Sequence, residues 1–162
     1  MTRGDTGAVP IYTVGYEGRS VDEFVSSLRA NDVRLVVDVR EAPISRKRGF
    51  AKTALAGVLA EAGIGYRHLR ALGCPKVIRD RYKADGDWPG YTRSFMEHLD
   101  GQEAALAELA ALSGAQPTAL LCYEADFNRC HRTYVARRLA ARSGAGVCHV
   151  TAGAGVPDSG DP

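Results

Sequence analysis

The chain has 162 residues, of which 45% are hydrophobic and 25% charged, with a net charge of +2. That length and composition describe one ordinary globular domain, able to bury roughly two-thirds of the surface its unfolded chain would expose. No apolar run approaches the roughly 20 residues of a membrane helix, and the first ten residues lack the apolar core of a signal peptide.

Residues 1–10 read as a loose leader, followed by a single domain over 11–151. Ile11 to Gly15 predicts a short buried strand, stopped by Gly15 and Gly18. Ser20 and Glu23 form a capping box for a helix whose apolar stripe is Val21, Phe24, Val25 and Leu28, ending near Asn31. Val33 to Arg40 is the clearest strand. Its continuous branched apolar run suits a central parallel position, and Asp38 and Arg40 share one face at its carboxyl end.

After Pro43 comes a basic loop holding Arg46, Lys47, Arg48 and Lys52. Thr53 is expected to cap a helix with the stripe Leu55, Val58, Leu59 and Ala62, and a third strand is expected at Tyr66 to Leu69. Gly73 to Gly90, with two prolines and the only tryptophan, reads as irregular. A connection that long suggests a lid, a stacking platform for a nucleotide, or a flap packed over the core. Helices follow over Thr92 to Leu99 and Glu103 to Leu112. The strand Thr118 to Cys122, a loop, a helix and a last strand from Gly146 to Val150 complete the domain, and the small polar residues 152–162 read as a disordered tail. Strands alternating with helices give an α/β fold, a three-layer sandwich around a mainly parallel sheet of about five strands.

The chemistry is concentrated between Cys122 and Arg132. A strand that ends in a loop and a helix is where α/β proteins place reactive groups. Here that position holds Cys122, Tyr123, Glu124, Arg129, Cys130, His131 and Arg132. Cys130 falls at a helix start between two arginines, surroundings that stabilise a thiolate. Cys122 ends a strand, where loop amides could stabilise the same charge. Glu124 is a candidate general acid or base.

Basic residues cluster in 40–52, in 67–83 and from Arg129 to Arg142, while acids cluster in 17–32 and 97–108. If the basic loops converge they make an anion-attracting face. Cys122, Cys130, His131, Cys148 and His149 could also supply a zinc site. No pair has Cys-x-x-Cys spacing, however, and residues 148 and 149 alternate faces on a strand, so no metal ligand is assigned. Four scattered cysteines and no export signal lead us to expect a reducing cytoplasm.

The stretches TVGYEGRSVDEF, VVDVREAPISRKRGF, IGYRHLRALG and LLCYEADFNRCHR, in that order, resemble the domain of unknown function family numbered 488. The likeness runs from about Ile11 to Val150. Its most specific element is Cys122-x-Glu124 followed by Cys130, His131 and Arg132, with Asp38 and Arg40 matching the family's Asp-Val-Arg. The resemblance implies a site and supplies no reaction. A weaker likeness of layout is to rhodanese and cysteine-phosphatase sites, in which Cys122 would be the nucleophile and Arg129 part of the oxyanion cradle. This chain departs from that pattern, with Asn128 where the phosphatase loop has arginine and with Tyr123, Glu124 and Phe127 in place of its glycines.

The expectation is therefore a small cytoplasmic enzyme, a cysteine-dependent hydrolase or transferase acting on a phosphorylated, nucleotide-like or nucleic-acid substrate. Cys122, Glu124, Cys130 and His131 would carry the chemistry. Arg40, Arg46, Lys47, Arg48, Arg129 and Arg132 would bind the anion, with Asp38, Tyr16 and Tyr123 in support. No cofactor and no membrane partner are expected. The alternatives are a nucleotide- or nucleic-acid-binding module that turns nothing over, and a Cys/His metal site.

Overall fold

The computed structural model describes residues 9–153 and 155–160. Most of the expected leader, residues 1–8, lies outside the described residues, as do residues 161–162. In chain order the elements are β1 (Ile11–Gly15), α1 (Val21–Ala30), β2 (Leu35–Asp38), α2 (Lys52–Glu61), β3 (Gly65–His68), α3 (Lys76–Asp85), α4 (Trp88–Asp100), α5 (Glu103–Ala115), β4 (Thr118–Cys122), α6 (His131–Ser143), β5 (Val147–Val150) and β6 (Gly155–Pro157). The strands form one sheet in the order β3-β2-β4-β1-β5-β6, parallel throughout except for β6.

Period-two alternation divides the core into two layers. Leu35, Val37 and Leu120 face Phe95, Leu99, Leu106, Leu109, Val135 and Leu139 of α4, α5 and α6. Val14, Val36, Ala119 and Leu121 face Phe24, Leu28, Leu55 and Leu59 of α1 and α2. The result is the expected three-layer α/β sandwich. Adjacent strands β1 and β4 send their following helices, α1 and α6, to opposite faces. That divergence opens a crevice at their carboxyl ends, the position where open α/β sheets bind ligands. Gly15 and Cys122 are paired in register at that point.

Several local expectations are corrected. The capping box at Ser20 and Glu23 is formed, but α2 begins at Lys52 with Ala51 as its cap and no side-chain hydrogen bond there, so Thr53 is not a cap. Residues 73–90 are mainly helical. Pro75 precedes the first turn of α3, Gly86 ends α3 in the left-handed conformation (φ 64°), and Asp87 caps α4 by accepting from the Gly90 amide. The two prolines and the glycine thus punctuate helices. Trp88 and Tyr91 stack at 4.6 Å inside the core beside Tyr82 and Tyr134, so they form a packed flap and no platform for bases.

The tail also differs from its expectation. Residues 155–157 pair antiparallel with β5 as a sixth strand. Asp158 accepts from Arg137 Nε (2.8 Å) and Nη2 (2.9 Å) and from His149 Nε2 (2.9 Å). A polar composition does not reveal that one carboxylate anchors the segment. Among the described residues no helix is long and apolar enough to cross a membrane.

Candidate active site

The buried run of β4 carries the chain to Cys122, and Gly15 on the neighbouring strand lets the following loop pass close. A Cβ at Gly15 would stand 1.9 Å from the Glu124 carbonyl oxygen. The loop is tied down on several sides. Glu17 N–H donates to the Tyr123 carbonyl (2.9 Å), Ala125 N–H to Glu17 Oε1 (2.9 Å) and Asn128 N–H to Asp126 Oδ1 (2.9 Å). Arg132 Nη1 donates to the Glu124 carbonyl at 2.6 Å, and Thr133 Oγ1 to the Phe127 carbonyl at 2.5 Å. The expected amide cradle is therefore not made by Ala125 or Asn128, whose N–H groups already serve carboxylates. Cys130 is the N-cap of α6, with extended backbone.

These constraints bring the two thiols and the imidazole together. One ligand atom each from Cys122, Cys130 and His131 lie within 4.8 Å of one another, and all three residues are buried. Cys122 Sγ is 3.7 Å from His131 Nδ1 and 3.7 Å from Glu124 Oε1. His131 Nε2 lies 2.7 Å from the Val39 carbonyl, which can only accept, so Nε2 carries the proton and Nδ1 is turned to the thiols.

The charges at the floor are shared. Cys122 is held well above the ordinary thiol value by the neighbouring Cys130 and by burial. Burial would raise Cys130 as well, but the Cys122 S–H and the nearby Arg132 guanidinium outweigh it, so Cys130 carries the negative charge. Burial opposes protonation of His131, yet the Cys130 thiolate raises it. Burial and then the same thiolate push Glu124 up to about 7.

The profile of the family described as "Domain of unknown function DUF488" matches residues 20–139, about three-quarters of the chain. The chain belongs to the DUF488 family. No curated protein and no solved structure matches it. The matched span carries Asp38, Arg40 and the whole Cys122–Arg132 stretch, whereas β1 with Tyr16, and β5 with β6, lie outside it.

In this DUF488 domain the cluster lies at the floor of a cavity of about 690 Å³, which Cys122, Glu124 and His131 line from below. One wall is built from β2 and the residues after it. Asp38 and Arg40 make a bidentate pair there (2.8 and 2.7 Å). Asp38 also accepts from Tyr66 O–H at 2.5 Å. Arg40 Nη1 donates to Tyr16 Oη (3.2 Å) and to the Phe50 carbonyl (2.8 Å). Burial alone would lower the Arg40 pKa, but Asp38 more than compensates and holds it above its ordinary value. Arg40 thus lines the cavity with its charge balanced and most of its donors engaged. Tyr16 lies flat on Phe50 (4.4 Å), and Tyr123 meets Tyr16 edge-on at the rim.

A further wall of the DUF488 cavity carries Lys76, Arg79 and Lys83 of α3, with Glu41 paired to Arg79 at 2.8 Å. Their i, i+3, i+7 spacing puts all three on one helix face. That spacing is the one signal in the sequence for this wall, and the prolines and glycine flanking it mask its helical character. Of the residues expected to bind the anion, only Arg40 lines this cavity. Lys47 and Arg48 border a separate groove beside Gly18 and Val21, and Arg46 is exposed on the same loop. Arg129 lies over the Trp88 ring at 5.5 Å. Arg132 is buried beneath the loop, with its Nε lacking a hydrogen-bond partner among the described residues. Cys74, which no sequence motif marks, lines the cavity with its thiol pushed up to about 11 by burial. Cys148 and His149 are not in the cluster. His149 is buried between Thr13 and Asp158 and stacks on Phe127.

Proposed function

We propose that this DUF488 domain is a cysteine-dependent enzyme acting on a small anionic substrate. The observation that carries the reading is the meeting, in one cavity, of the Cys122, His131 and Glu124 floor with the Lys76, Arg79 and Lys83 wall. Cations on one wall attract and orient an anion, and holding it against reacting groups converts binding into proximity. A volume of about 690 Å³ fits a molecule of nucleotide or sugar-phosphate size. Glu124 stands close enough to exchange a proton at the floor, and Arg132 fixes the backbone that presents it.

Thermal-shift and turnover screens with a panel of nucleotides, sugar phosphates and sulfur oxyanions test this reading. We expect at least one class to stabilise wild type in a salt-sensitive way and to be converted, with conversion lost in Cys122→Ser and Glu124→Gln. Binding without conversion, unchanged in both variants, would make the domain a binding module. No salt-sensitive binding by any anion would remove the reading.

A further inference from the structure

The floor has the dimensions of a tetrahedral metal site. With bonds of about 2.3 Å to sulfur and about 2.0 Å to nitrogen, two ligands at the tetrahedral angle stand about 3.6 Å apart. Cys122 Sγ and His131 Nδ1 are separated by 3.7 Å, and the Cys130 ligand atom lies within 4.8 Å of both of its neighbours. The three residues come from two separately anchored pieces of backbone: Cys122 from the end of β4, and the consecutive Cys130 and His131 from the N-cap and first residue of α6. The imidazole is also oriented as ligating histidines are. Its Nε2–H is donated to the Val39 carbonyl, leaving the Nδ1 lone pair facing the sulfurs.

We infer that Cys122, Cys130 and His131 hold a divalent metal of the zinc type, with Glu124 beside a fourth position that opens on the cavity. Two thiolates and one imidazole form a soft donor set that favours zinc over magnesium or calcium. Binding releases the Cys122 thiol proton, and any proton held on His131 Nδ1, to solvent; two thiolates and a neutral imidazole then leave a neutral centre, with the buried Arg132 nearby to offset Glu124. Cys122, Glu124 and His131 line the cavity, so a metal held by this cluster would be reached from it. A metal held there would supply Lewis-acid chemistry, with the Glu124 carboxylate, 3.7 Å from Cys122 Sγ, placed beside it to exchange a proton. The inference rests on the reading that this floor is the reacting centre. It changes the part the cysteines play, from attacking group to metal ligand.

The test is metal content by mass spectrometry of reduced, full-length protein, with cobalt titration of the metal-free form. The expected result is one equivalent of metal per chain and a thiolate-to-cobalt charge-transfer band with tetrahedral visible bands. Band and stoichiometry should persist in Cys74→Ser and Cys148→Ser and be lost in Cys122→Ser, Cys130→Ser and His131→Ala. Circular dichroism identifies any variant that fails to fold. Where one does, the wild type supplies the same test: zinc should protect Cys122 and Cys130 from alkylation. No charge-transfer band, together with alkylation that zinc does not slow, would overturn the proposal. Anion binding measured on the same samples separates the two claims. Anions bound without metal would leave only the enzyme reading standing, and metal bound without anions would leave only the metal site.

Discussion

Removing Asp38 should be among the most damaging single changes in this fold. Its side chain is 0% exposed and that of Arg40 only 5%. The carboxylate accepts from Arg40 Nε, Nη2 and backbone N–H, and from Tyr66 O–H. Asp38→Ala leaves a buried guanidinium with, among the described residues, only Tyr16 and the Phe50 carbonyl as hydrogen-bond partners. Stranding one member of a buried ion pair costs about 3–5 kcal/mol, a large part of the roughly 5–15 kcal/mol that holds a domain together. In urea, with a slope of about 2 kcal/mol/M, the unfolding midpoint should fall by about 2 M with the slope unchanged. The double variant Asp38→Leu/Arg40→Met should recover much of that loss, because an apolar pair does not strand a charge. A loss below about 1 kcal/mol in Asp38→Ala, or a double variant less stable than the single, would refute this account of the pair.

Three further outcomes are expected. Gly15→Ala should shift or unfold the Glu124 loop, since its Cβ meets backbone at 1.9 Å; slower anion-dependent chemistry with faster proteolysis of the loop would be the sign, and unchanged behaviour would count against the close approach. Asp158 is held at about 2, first by Arg137, below its unfolded value of about 3.9. Its contribution is complete above the unfolded value and is lost as pH falls through about 2. The stability gap between wild type and Asp158→Asn should therefore be constant from pH 7 to about 5 and close in acid. Finally, Lys76→Ala/Arg79→Ala/Lys83→Ala should abolish salt-sensitive anion binding, while Arg46→Ala/Lys47→Ala/Arg48→Ala should leave it intact, as isothermal titration would show.

Features set by near neighbours in sequence were legible. The capping box at Ser20, the branched apolar run of β2 and the strand, loop and helix around Cys122 are all encoded within a dozen residues. The crowding of Cys122, Glu124, Cys130 and His131 follows from that local layout. Features set by distant partners were not legible. The cationic wall is made by α3, whose helical character was hidden by flanking prolines and a glycine that cap helices here. The sixth strand depends on one carboxylate meeting Arg137 and His149 from another part of the chain. Charge clusters alone could not say which basic loop faces the cavity, and the 46–48 loop borders a different groove.

The claim that cations deliver anions to this floor can be tested before any substrate is known. Metal-free, reduced protein would be alkylated in parallel with iodoacetate, an anion, and iodoacetamide, its neutral counterpart, and labelling at Cys122 followed by peptide mass spectrometry. The account predicts that, at low salt, the iodoacetate-to-iodoacetamide rate ratio at Cys122 exceeds that of free cysteine several-fold. It should fall to the free value in high salt, as screening requires, and in the Lys76/Arg79/Lys83 alanine variant. A ratio equal to that of free cysteine at low salt, unmoved by either change, would contradict it.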